Sequence, residues 1–427
     1  MKIAYITLLN PLSSGISDWA EELLPHLKDY FDIDVFVPFS PQDIENSEIH
    51  KLFNIYNIDD YPSMRNNYDK AIFQAGNNPL HKKIMDCFLR FGGILELHDV
   101  AMHHYLAEVE VKNSKRRYLE ILKYCHGAGA VKEAERFFRG ERASLWDREA
   151  LKYTVVKHYI DMAESVIVHS DTAKQIVKGI VPKKEVFVVP LHCSKISDSP
   201  CADYKNSRQE LGMPDGELSI ISLGYATSSK RIVQILNQLA NLRKFTSKRF
   251  CYYIVGENHI PQISTLLKNL LLEDCVKITG KVSLDKFNLY CQAGDLYFNL
   301  RYPTQGESSA SLMRLLGYGK QVTVTDIGSF HDFPDEYVTK IRYGACEDAD
   351  ILRVLLKFFK EYKGLYEEKS MKIRNWAKEN FDLDVIAKQY FECLAENKGA
   401  DSYMDRLLDE IMEFHPYEQS IMNRMFG

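Results

Sequence analysis

The chain has 427 residues, too many for one ordinary core and enough for two α/β domains of about 150–200 residues each. Its 45% hydrophobic and 26% charged residues exclude extended disorder, and a net charge of −5 gives no support to a general nucleic-acid binder. Nine scattered cysteines, never spaced Cys-x-x-Cys, speak against a zinc site or disulfide framework and for a reducing cytoplasm.

The run Ile3 to Thr7 is a first buried strand, too short for the apolar region of a signal peptide. A polar loop from Asn10 to Gly15 leads into an amphipathic helix over Asp18 to Lys28. Strands follow at Ile33 to Val37, Ala71 to Ala75 and Gly93 to Leu97, alternating with helical periodicity, and Val166 to His169 and Val186 to Val189 close the set. Such alternation implies a parallel, doubly wound sheet. The stretch Val100 to Tyr159 breaks the rhythm and reads as a helical insertion. An N-terminal Rossmann-like domain over 1–195, with its insertion at about 100–160, is the expectation. A polar, serine-rich linker spans Ser194 to Asn206.

A second series then begins, with strands at Leu218 to Leu223, Cys251 to Val255, Val276 to Thr279, Leu296 to Leu300 and Gln321 to Thr325. These define a C-terminal Rossmann-like domain over 205–375. Beyond about Asp350 the pattern is wholly helical, and 376–427 forms a C-terminal helical segment. In the tail, Leu407, Leu408, Ile411, Met412 and Phe414 recur at helical spacing, as a packed helix or a membrane-surface one. No window approaches the length of a membrane span. The tail and the basic stretch Lys112 to Arg117 leave peripheral membrane contact and self-association open.

Ligands gather beyond the carboxyl ends of strands in open parallel sheets. The Ser13-Ser14-Gly15-Ile16 turn can aim backbone N–H groups at a phosphate, or be a structural turn. His98 and Asp99 end the Gly93 to Leu97 strand, where an imidazole suits a sugar hydroxyl or leaving phosphate and a carboxylate an acceptor proton; a loop cap is the plainer role. With His103 and His104 they match no zinc pattern, so no metal is expected. Gly224 to Arg231 converge amides and two cations, Lys230 and Arg231, on a diphosphate position, or make a solvated helix start. Asn299 to Ser311 is the most informative segment: Arg301, Gly306, Glu307, Ser308 and Ser309 lie between a strand and an apolar helix. Glu307 can answer the helix dipole or accept paired hydrogen bonds from a vicinal diol. Val324 to Gly328 adds an acidic turn.

At these residues the sequence resembles family 4 of the retaining glycosyltransferases, the group 1 class with the GT-B fold. The resemblance runs through Ser14 to Asp18, Glu21 to Pro25, Gln74 to Asn78 with Asn77 on the acceptor side, Leu97 to Asp99, Val166 to Ser170, Lys230-Arg231, and Asn299 to Glu307 leading into Gly317 to Lys320. It implies two Rossmann-like domains facing across a cleft, a C-terminal helix crossing back to the first, and sugar transfer from a nucleotide diphosphate with retained anomeric configuration. It places Gly15, Gly224, Lys230, Arg231, Arg301, Gly306, Glu307, Ser308 and Ser309 at the donor, and His98, Lys230 and Glu307 at the chemistry. Asp99, Asn77 and His104 stand on the acceptor side.

Two positions depart from the family pattern. Arg314-Leu315 replaces the second glutamate of Glu-x7-Glu, which holds the nucleotide ribose, and Tyr225 replaces an arginine. Arg231 and Arg301 are the expected substitutes for the lost cation. The reading is a metal-independent transferase, needing no cofactor beyond its nucleotide sugar, with a glycan or lipid-linked acceptor and a cytoplasmic or membrane-peripheral setting. The rival is a non-catalytic transferase-like partner or glycan-binding subunit.

Overall fold

The computed structural model describes residues 1–12, 14–44, 46–361 and 367–396. The expected tail helix and Ser13 lie outside the described residues. The first sheet comprises β1 (Lys2–Ile6), β2 (Asp32–Val37), β3 (Asn54–Asn57), β4 (Lys70–Ala75), β5 (Gly93–Leu97), β6 (Ala163–Val168) and β7 (Val186–Val188). All are parallel, in the order β3-β2-β1-β4-β5-β6-β7. The second comprises β8 (Leu218–Leu223), β9 (Phe250–Val255), β10 (Val276–Gly280), β11 (Leu296–Asn299), β12 (Val322–Thr325) and β13 (Val338–Ile341). These too are parallel, ordered β10-β9-β8-β11-β12-β13. Both are doubly wound, and the strand order reverses at β1/β4 in one and β8/β11 in the other. The loops after those strands flank the natural crevice of each sheet.

Central strands are buried on both faces, as the mainly apolar β5 and β8 show, with only Glu96 in one and Ser219 and Ser222 in the other being polar. The helix Gly15–Leu27 is capped by Ser14, whose hydroxyl accepts the Ser17 N–H, and it buries Trp19, Ala20, Leu23, Leu24 and Leu27. Between β5 and β6 the chain is helical: His103–Leu106, a π turn over Ala107–Val111, then Lys115–Phe138, Leu145–Arg148 and Lys157–Ile160. Buried His103 pins this insertion, with Nδ1 2.7 Å from the Tyr153 carbonyl and Nε2 2.8 Å from the Tyr118 hydroxyl.

The expected linker is shorter than its composition suggested. A helix over Pro200–Glu210 starts inside it, because Pro200 suits a first helical turn and Asp203 accepts a 2.6 Å bond from Ser197 Oγ. Helices Glu347–Glu361 and Glu367–Phe381 are followed by Leu383–Glu396, which returns to the first domain. There Asp384 meets His26 at 2.6 Å and buried Tyr390 bonds Glu96 of β5. Among the described residues no helix is long and apolar enough to cross a membrane.

Candidate donor cleft

Two helices begin at the same cavity, one from each domain. The cavity has a volume of about 570 Å³, and Gly15, Trp19, Glu22, Gly224, Ala310 and Arg314 are among its walls. Gly15 opens the helix Gly15–Leu27, and a side chain there would meet nothing within 4 Å. Ala310 opens the helix Ala310–Gly317, capped by Ser309, whose hydroxyl accepts the Leu312 N–H and a 2.9 Å bond from Asn299. Free N–H groups at a helix start attract anions.

Behind Gly224 lies Lys230. A Cβ at Gly224, whose φ is 85°, would fall 2.8 Å from the lysine Nζ, so glycine keeps the wall thin. Lys230 is buried and donates to the Leu223 carbonyl. Burial, and secondarily Arg301, lowers its ammonium to about 7, while Glu307 opposes the shift. Tyr302 N–H donates to the Ser229 carbonyl at 2.8 Å and ties the two loops together. The loops that carry Lys230 and Glu307 are thus neighbours, although neither residue is among those lining the cavity of about 570 Å³.

Arg231 has a protein partner of its own. Its φ is 59°, and its guanidinium grips buried Glu347 through two nitrogens, with Nε at 2.7 Å. The pair braces the loop after β8 against the helix Glu347–Glu361. Arg301 instead stands 3.1 Å from Glu307 Oε1. Glu307 Oε2 accepts from Thr304 Oγ1 at 2.8 Å and from Gln305 N–H at 2.6 Å.

This loop reaches the other domain. Gly306 has φ 76°, and a Cβ there would collide with Val100. Ala101 N–H donates to the Gln305 carbonyl at 3.1 Å, and Asn77 Nδ2 donates to Gln305 Oε1. Asn77 N–H donates to Asp99 at 2.8 Å. Burial raises Asp99 to about 6 against that hydrogen bond. Ser308 lines a smaller cavity of about 170 Å³ with His169 and Ser329. His104 is half-buried in the short helix His103–Leu106 and does not line the main cavity.

His98 packs edge-on against Trp19 at 5.0 Å. His169 Nδ1 lies 2.8 Å from the Val189 carbonyl, so that nitrogen carries the proton and Nε2 accepts from His98 Nδ1 at 3.1 Å. His98 Nε2 is then an unpartnered acceptor. Burial holds both imidazoles below their usual range, His169 at about 4. Glu96 Oε1 lies 3.7 Å from His169 and accepts from Tyr390. Among the described residues Glu96, His98 and His169 form one group able to hold a metal ion, their ligand atoms within 4.8 Å of one another.

No protein-family model matches the chain. It is 22% identical over 397 residues to an uncharacterized glycosyltransferase of Methanocaldococcus jannaschii, spanning 89% of this chain and 94% of that protein. An alpha-monoglucosyldiacylglycerol synthase of Streptococcus pneumoniae is 25% identical over 178 residues, 40% of each chain. The structure of Anabaena HepE with UDP-glucose matches with a TM-score of 0.63 at 13% identity, covering 92% of this chain and 99% of that one. WaaG, a glycosyltransferase involved in lipopolysaccharide biosynthesis, gives 0.57 at 14%, covering 93% and 100%. The chain thus resembles these glycosyltransferases in sequence, and its two parallel-sheet domains share the fold of the HepE and WaaG structures.

Several residues at or near the cleft escaped the sequence reading as site residues. Glu96 had a signal, a lone carboxylate inside an apolar strand. Glu22 and Arg314 pair at 2.7 Å across the domains, a contact between residues far apart in sequence that no local pattern announces.

Proposed function

We propose that the chain is a retaining glycosyltransferase that moves a sugar from a nucleotide-diphosphate donor to a hydroxyl of a glycan or lipid-linked acceptor without a metal. The observation that carries this reading is the convergence of two helix N-termini, from opposite domains, with Gly224 and Arg314 on one cavity. Together with Lys230 behind the glycine wall, this arrangement meets the negative charge that develops on a departing diphosphate. The titles of the HepE structures, which name UDP and UDP-glucose, support a nucleotide sugar, and the Streptococcus pneumoniae relative's name supports a lipid-linked acceptor.

In this reading the anomeric carbon loses its bond to the diphosphate oxygen and gains one to the acceptor oxygen on the same face. The acceptor proton passes to the departing phosphate, so no carboxylate acts as a covalent nucleophile. Glu307, held by Arg301 and its own loop, orients sugar hydroxyls, and His98 Nε2 accepts a hydroxyl from the first domain. Incubation with a panel of nucleotide sugars, with and without chelator, tests the proposal. Turnover that survives chelation, with the product anomer assigned by NMR as that of the donor, is expected. A protein that shows neither turnover nor a thermal shift with any donor is a non-catalytic partner instead. Activity that chelation abolishes and zinc restores would move the metal to Glu96, His98 and His169.

A further inference from the structure

Resting on the donor reading above, we infer that Glu22, supplied by the N-terminal domain, is a positioning residue for the nucleotide ribose. Its carboxylate lines the cleft cavity together with Arg314. Arg314 NH2 donates to Glu22 Oε1 at 2.7 Å, with side-chain exposures of 10% and 24%, so the pair is held between the domains yet open to the cavity. The other carboxylate oxygen, Oε2, lies 3.9 Å from His192 Nδ1. That nitrogen is no donor: Nε2 lies 3.2 Å from the Trp19 carbonyl and takes the ring's proton, and burial lowers His192 to about 4. Oε2 therefore keeps its acceptor capacity for a ligand. A carboxylate with an open oxygen suits the O–H donors of a vicinal diol.

Position points to ribose rather than to the transferred sugar. Ala310 starts the helix that receives the diphosphate, and Arg314 lies one turn further on, about 6 Å along the axis. Apolar Val282, Leu284 and Phe287 line the same cavity and offer a surface for a base. The helix Ala310–Gly317 has no carboxylate of its own; Asp18 and Glu257 also line the cavity, but of the three carboxylates Glu22 is the one bonded to Arg314 on this helix. Arg314 also solves an electrostatic difficulty, because an uncompensated carboxylate beside a diphosphate would repel it.

Calorimetric titration of the full chain with UDP, GDP, ADP, their 2′-deoxy forms and inorganic pyrophosphate tests the assignment. The wild type is expected to prefer one ribonucleotide over its deoxy form by at least about ten-fold. Glu22→Ala should bind the two forms alike while still binding pyrophosphate, at least as tightly as the wild type because Arg314 loses its partner; Glu22→Gln provides the same reading should the alanine variant fail to fold. A ribose preference that persists in both variants, or is missing from the wild type, overturns the role of Glu22 while leaving the donor reading intact. Failure of every nucleotide to bind the wild type overturns both.

Discussion

Lys230 has been taken out of water, and its chemistry follows. With its ammonium lowered to about 7 by burial, the donor-free protein loses that charge as pH rises through neutrality. A bound diphosphate restores it, since an opposite charge favours the protonated form. Nucleoside diphosphate affinity should therefore fall above pH 7, approaching about ten-fold per pH unit. Lys230→Met should weaken binding and flatten this dependence in titrations from pH 6 to 9; an unchanged slope would assign the titration elsewhere. The sign for stability is opposite. The folded state holds fewer protons than the unfolded one between about 7 and 10.5, so the penalty of burying Lys230 is full below pH 7 and lifts as pH rises. Gly306 is constrained twice, by φ 76° and by Val100. Gly306→Ala should cost about 1–3 kcal/mol in denaturant melts.

At the scale of elements, the helix Leu383–Glu396 earns its place through Tyr390. Its hydroxyl donates to Glu96, which burial raises to about 7 although Tyr390, Gln74 and Tyr5 pull it down. A carboxyl raised in this way contributes stability that is full below about pH 4.5 and lost as pH climbs through 7. Tyr390→Phe removes a donor that matters most to the ionised form. It should cost about 1 kcal/mol at pH 5 and about 2–3 kcal/mol at pH 8, read from urea melts. In a Glu96→Gln background that pH dependence should vanish. The legibility of the elements follows similar physics. β5 and β8 were readable because buried parallel strands are rich in apolar, branched residues, here broken only by Glu96 and by Ser219 and Ser222. β3, with the sequence Asn-Ile-Tyr-Asn, and the four-residue β13 went unread because edge strands carry polar residues and little length. The glycine loops announced themselves through composition. The Arg231–Glu347 pair went unread because Glu347 is supplied by a distant helix, and a charge gives no sign in sequence of being already paired.

For the whole molecule the decisive feature is how two separately wound sheets are held together. Apolar packing joins them near the crossing, where Leu191, Cys193, Met313 and Leu316 share one buried cluster and the Cys193 thiol donates to the Met313 carbonyl at 3.0 Å. Elsewhere the links are polar: Glu22 to Arg314, Thr172 to Asp332 at 2.6 and 2.9 Å, and Gln305 to Asn77 and Ala101. Each polar link exchanges against water, so a single one holds closure by only about 1 kcal/mol. Interfaces of this kind permit domain motion, and donor binding then supplies the energy that completes closure. Gln305→Ala cuts the Asn77 link and leaves the Gln305 N–H on Glu307. If closure is a two-state balance, the variant should open in the absence of donor, raising the radius of gyration seen by small-angle scattering. Saturating nucleotide should return it to the wild-type value. Because donor binding must then pay for closure, the donor KM should rise about five-fold with kcat nearly unchanged. A variant with an unaltered radius and KM would mean that the apolar contacts near the crossing hold the domains by themselves.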